Sequence, residues 1–113
     1  MEIHTETRAN LLVVKVCATR IDASVAIQFK DKMRKASASW AGRVVLDLGD
    51  VDFIDSSGLG AVVACYKQVK TSGQMELACL SETVKKLFSL TRMVRLSVKV
   101  LLIKSTLIID RLT

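Results

Sequence analysis

The apolar positions of this chain fall into short β-branched runs separated by stretches of helical period. Residues 11–16, Leu-Leu-Val-Val-Lys-Val, follow the turn-like Arg8-Ala9-Asn10 and predict a strand. Asp22 stands where a helix cap is needed. From Ala23 onward Ala26, Phe29, Met33, Ala36 and Trp40 recur at steps of three and four, one apolar helix face that Gly42 ends. Val44-Val45-Leu46-Asp47-Leu48 is nearly continuous in apolar character, the pattern of a strand covered on both faces. Val51-Asp52-Phe53-Ile54 then leads into Asp55-Ser56-Ser57-Gly58-Leu59-Gly60, where a second helix begins. Its stripe is Leu59, Val62, Val63, Tyr66 and Val69, and Gly73 is placed to end it in a left-handed conformation. Over residues 74–80, Met75, Leu77 and Cys79 alternate with Gln74, Glu76 and Ala78, a strand pattern. Ser81 caps a third helix with Val84, Leu87, Phe88 and Thr91 on its apolar face and Lys85, Lys86 and Arg92 elsewhere. Residues 96–100 suggest one more strand.

Strands alternating with helices along 113 residues, without repeats or linkers, predict a single α/β domain over residues 1–113: a mixed central β-sheet with packed α-helices. The tail, residues 98–113, satisfies helical and strand periods alike; Lys99 and Lys104 interrupt it, which favours a packed terminal element over a helix lying on a membrane. Half of the residues are apolar, which excludes disorder, and no unbroken apolar run approaches the ~18 residues of a membrane span. Stable membrane insertion is not expected. The opening segment, Met-Glu-Ile-His-Thr-Glu-Thr-Arg-Ala-Asn, is polar and acidic, without the basic-then-apolar order of a signal peptide, so a cytoplasmic location is expected.

Charge changes this picture at one place. The 17 basic and 11 acidic residues give a formal net charge of +6, but Asp47, Asp50, Asp52 and Asp55 cluster in a stretch without a base. The remaining chain holds 17 basic residues against seven acids, a formal +10. A working turn at the negative end, with one Trp, one Tyr and three Phe, argues against direct nucleic-acid binding. Cys17, Cys65 and Cys79 lack paired spacing and sit among apolar residues; they read as core thiols of a reducing compartment. His4 is the single histidine and reads as a surface residue, so no metal site and no cofactor is expected.

The informative turn is Asp55 to Gly60, at the strand-to-helix end of the sheet where α/β domains place their sites. Capping alone would account for it, with Asp55 or Ser56 accepting from free helix N–H groups. A serine-hydrolase elbow requires Gly-x-Ser-x-Gly, and Ile54 or Asp55 stands where the first glycine belongs; the base would have to be His4. A phosphate-binding loop requires Lys-Ser/Thr after its glycines, whereas Ala61-Val62-Val63 follows. The third reading makes a serine the substrate of another enzyme.

Here the strings Val44-Val45-Leu46-Asp47-Leu48, Phe53-Ile54-Asp55-Ser56-Ser57-Gly58-Leu59-Gly60 and Val84-Lys85-Lys86-Leu87-Phe88 resemble the anti-sigma factor antagonists with a STAS domain. The resemblance is strongest over residues 44–90, extends to 11–40 and is poor in the tail. It implies a non-enzymatic regulator whose unphosphorylated form binds an anti-sigma factor that is also a serine kinase, releasing a sigma factor. It also implies a serine phosphatase as partner. The phosphorylated position corresponds to Ser57, and the partner-binding residues to Asp22, Asp55, Ser56, Ser57, Gly58, Leu59 and Gly60. Thr19-Arg20-Ile21-Asp22 stands where the family often has Gly-Glu-Leu-Asp, reversing a charge next to Asp22. Glu82 and Arg92 replace a frequent proline and a helix-ending glycine. A non-switching module of a signalling scaffold or transporter assembly, and more distantly a small serine-dependent enzyme, are the alternatives.

Overall fold

In the computed structural model, which describes residues 1–8, 10–70, 74–90 and 99–101, the β-branched runs become the inner strands of one sheet. In chain order the elements are β1 (Glu2–Arg8), β2 (Leu11–Cys17), β3 (Arg20–Ile21), α1 (Ala26–Ser37), β4 (Arg43–Asp47), β5 (Phe53–Ile54), α2 (Ser56–Lys70), β6 (Gln74–Ala78), α3 (Glu82–Leu90) and β7 (Lys99–Leu101). The main sheet has the order β1-β2-β4-β6-β7. β1 runs antiparallel to β2, and every other neighbouring pair is parallel. The predicted mixed α/β architecture is thus present. β3 and β5 form a separate two-stranded parallel sheet.

The period of two along each strand divides the core. Leu12, Val14, Val16, Val44, Leu46, Met75 and Leu77 share one buried cluster with Phe29 and Met33 of α1, Val62, Cys65, Tyr66 and Val69 of α2, and Val84 of α3. Leu11, Val13, Val45 and Ala78 form a second cluster from the alternate positions. Burial of both sets explains why β2 and β4 read as continuous apolar runs. Ser81 caps α3 as expected, its Oγ accepting from Val84 N–H at 3.2 Å.

Several expectations are corrected. The polar opening segment is a full strand, β1, whose Ile3 pairs with Val16 while Glu2, His4 and Glu6 are exposed. An edge strand of this kind needs few apolar side chains, so it leaves little hydrophobic signal. Asp22 does not cap α1, which starts later: the residue preceding the helix is Val25, without a side-chain cap. The Asp22 carboxylate is instead committed to the N–H and hydroxyl of Ser24. The helix stops at Ser37, and Trp40 lies beyond it with its indole N–H on the Arg43 carbonyl at 2.9 Å. β6 does not alternate, because Glu76 and Ala78 are buried together with Met75 and Leu77, and Cys79 leaves the strand with a left-handed φ of 65°. The predicted final strand is represented by β7, while Gly73, Thr91, Arg92 and the tail beyond Leu101 lie outside the described residues.

The three cysteines also differ from one another. Cys65 is buried on α2, and burial pushes its thiol up to about 12. Cys79 is half-buried, and Cys17, at the end of β2, is exposed, which corrects its reading as a core thiol. Maleimide labelling of the native protein at neutral pH is expected to modify Cys17 at least ~100-fold faster than Cys65, since the thiolate is the reactive species. Peptide mass spectrometry over a time course measures both rates. Equal rates would mean that the helical layer does not close over Cys65.

Candidate functional site

The turn between β5 and α2 is assembled from one carboxylate. Asp55 Oδ1 accepts from Gly58 N–H at 2.8 Å, capping the first turn of α2, and its backbone carbonyl accepts from Leu59 N–H at 2.8 Å. Its second oxygen, Oδ2, accepts from Ala23 N–H at 3.1 Å, so the same side chain ties α2 to the loop before α1. The cap is therefore Asp55 and not Ser56. Both serines lie exposed on the first helical turn, outside the cap. Gly58 is buried: a Cβ there would lie 1.9 Å from the Ile21 carbonyl oxygen, a distance no side chain tolerates. Leu59 is half-buried against the core and Gly60 is exposed with open space around it.

β3 enters the same region from the other side. Asp52 and Phe53 N–H groups both point to the Thr19 carbonyl, at 2.7 and 3.3 Å, and Asp55 N–H points to the Ile21 carbonyl at 3.3 Å. This lattice brings Asp22 beside the serine turn. The Ser24 hydroxyl holds the Asp22 carboxyl below its ordinary value, helped by Ser24 N–H and the Arg20 guanidinium 3.2 Å away, and opposed by the turn's own desolvation. Asp22 thus stays ionised throughout the neutral range.

The acidic edge read from the sequence is weaker than its composition. Asp47 is only 3% exposed and folds its Oδ1 onto Gly49 N–H at 2.8 Å. Asp50 meets Lys15 at 3.8 Å, and Arg20 brings a cation to the turn, stacked over Phe53 at 5.1 Å from the ring centroid. Phe53 stands in the short apolar strand that leads into this turn. It is 44% exposed and lines a groove of about 280 Å³ with Ile54, Thr83, Val84, Lys86 and Leu87. His4 is exposed on β1, paired in register with Lys15, rather than on an element of this turn.

The sequence model of the STAS domain family matches residues 2–107. The chain belongs to the STAS domain family. Among solved structures, an anti-sigma factor antagonist assigned in Thermotoga maritima is 25% identical to this STAS domain, covering 96% of this chain and 92% of that one at a TM-score of 0.77. The Bacillus cell fate determinant SpoIIAA in its phosphorylated form is 19% identical, covering 99% of this chain and 100% of that one at a TM-score of 0.72. The fold also occurs inside a larger protein: the murine Slc26a9 anion transporter matches at 20% identity and a TM-score of 0.66, over 74% of this chain and 14% of that one. Among the described residues of this STAS domain, no helix is long and apolar enough to cross a membrane.

Proposed function

We propose that this STAS domain is a partner-switching anti-sigma factor antagonist. Its unphosphorylated form binds an anti-sigma factor with serine kinase activity and releases a sigma factor; phosphorylation of Ser57 ends that binding, and a serine phosphatase restores it. One observation carries the reading: Asp55, not a serine, caps α2, and the exposed hydroxyl of Ser57 makes no hydrogen bond among the described residues. A phosphate can be added there at little cost to the fold. The domain acts as a binding module, and ATP belongs to its partner.

The charge alone is sufficient for switching. Phosphate adds roughly −1.5 to −2 charges and three acceptor oxygens. The N–H groups at the start of α2 return only about 0.3–1 kcal/mol to it. A partner carboxylate within roughly 6–8 Å is repelled by a few kcal/mol at an effective dielectric near 20, before salt screening. Each ~1.4 kcal/mol is tenfold in affinity, so a close interface is lost without any refolding.

Incubation with the cognate kinase and ATP, followed by peptide mass spectrometry, is expected to place one phosphate on Ser57. Modification confined to Ser56, or none, would remove the assignment. Ser57→Ala is expected to bind the kinase constitutively, and Ser57→Asp at least ~tenfold more weakly. Equal affinities would sink the charge switch. The fold shared with Slc26a9 supports the competing reading of a fixed module in a transport assembly, which would appear as an unmodified Ser57 and stable co-purification with membrane transport subunits.

A further inference from the structure

We infer that the groove between β5 and α3 is a second docking element beside the serine turn, and that it receives an apolar side chain of the partner protein flanked by a carboxylate. This rests on the partner-switching reading and names the chemistry by which the partner is gripped. Among the described residues, Phe53 and Ile27 are the strongly exposed large apolar side chains, at 44% and 70%. Phe53 cannot retreat into the core. Its strand is pinned by the pairing of Arg20 with Phe53 and of Ile21 with Ile54, and by Phe53 N–H on the Thr19 carbonyl.

The ring borders a groove whose floor and walls are carbon: Ile54, Val84 and Leu87, with the Thr83 side chain beside them. Its size suits a single Leu- or Met-like side chain, the kind of anchor that dominates an interface when water is excluded around it. The polar character lies at the rim and is mainly cationic. Lys86 lines the groove, is exposed, and joins no ion pair among the described residues. Lys85 neighbours it on α3, against one acid, Glu82, in the first turn of that helix. On the far side of Phe53, Arg20 stacks on the ring and is held by Asp22, with Asp52 next to it. The charge left unbalanced is that of the α3 wall, and its complement is a carboxylate next to the inserted side chain. Phe53 lies two residues before Asp55, which caps α2 ahead of Ser57, so the groove borders the strand that leads into the serine turn.

The test uses the purified domain and the kinase that phosphorylates it, with affinity measured by calorimetry and folding by thermal melting. Phe53→Ala and Lys86→Glu are each expected to weaken binding by at least ~tenfold with the melting temperature little changed. The Lys86→Glu defect is expected to shrink at ~0.5 M salt while the Phe53→Ala defect persists. Lys32→Glu, an exposed reversal on α1, serves as the net-charge control and is expected to stay within ~twofold of the parent. Parental affinity in Phe53→Ala and Lys86→Glu, with Ser57→Asp still weakened, would confine the interface to the serine turn and overturn the groove. A loss in Lys32→Glu equal to that in Lys86→Glu would reduce the effect to net charge and overturn it too. A parent domain neither bound nor phosphorylated would overturn the switching reading, and the groove with it.

Discussion

Gly58→Ala is expected to destabilise the domain by about 3 kcal/mol or more, whereas Gly60→Ala, two residues further along the same helix, is expected to stabilise it by ~0.5–1 kcal/mol. The contrast comes from what each new methyl group meets. At Gly58 the Cβ would stand 1.9 Å from the Ile21 carbonyl oxygen and 2.7 Å from its carbon, both backbone atoms that no rotamer change can move. Relief requires α2 to lift from β3, and that movement strains the two bonds by which Asp55 is tied to this segment, its carboxylate to Ala23 N–H and its N–H to the Ile21 carbonyl. At Gly60 nothing lies within 4 Å, so alanine only removes the conformational freedom that glycine brings to the unfolded chain. Urea unfolding with parallel binding measurements checks both. Equal stabilities of the two variants would show that the serine turn is not seated on β3.

Arg43→Ala is expected to cost about 3–5 kcal/mol, because it strands a carboxylate inside the sheet. Glu76 on β6 is 3% exposed, and Arg43 on β4 grips it with three contacts: Nε to Oε1 at 3.2 Å, Nη2 to Oε1 at 2.9 Å and Nη2 to Oε2 at 2.8 Å. This paired fork satisfies both oxygens, which is how a charge persists between Met75 and Leu77 in the middle strands. Removing both partners is a different matter. The double variant Arg43→Met with Glu76→Leu is expected to recover most of the loss, since an apolar pair of similar volume avoids the desolvation that an ion pair must overcome. Denaturant titration of the single and double variants gives the coupling energy. A single variant as stable as the parent would mean that Glu76 reaches water.

The elements legible from the sequence were those with one dominant period. β2, β4, α2 and α3 announce themselves because burial on one or both faces demands apolar residues at fixed steps. β1 does not, since it needs only Ile3 against the core and exposes Glu2, His4, Thr5 and Glu6. The two-residue strands β3 and β5 are too short to carry a period at all, yet they set the serine turn. In the site, the Asp-Ser-Ser-Gly string located the turn, but not which group caps the helix: Asp55 and Ser56 are equally good acceptors on paper, and only the closeness of Ala23 decides for Asp55. Four neighbouring aspartates suggested an acidic edge, and burial of Asp47 with the cations Lys15 and Arg20 undid it through contacts between distant segments. The exposure of Phe53 is hidden for the opposite reason. Composition ranks a phenylalanine as core, and nothing local shows that its strand holds it outward.

Among the described residues β1 is outermost in the main sheet and pairs with a strand on one side only, the kind of edge onto which another extended chain can add. Along it the side chains of Glu2, His4 and Glu6 are exposed, with Arg8 bound to Glu6 at 2.9 Å. An incoming strand would have to bury or displace these charges. Charged side chains along β1 thus oppose the addition of a second sheet at this edge.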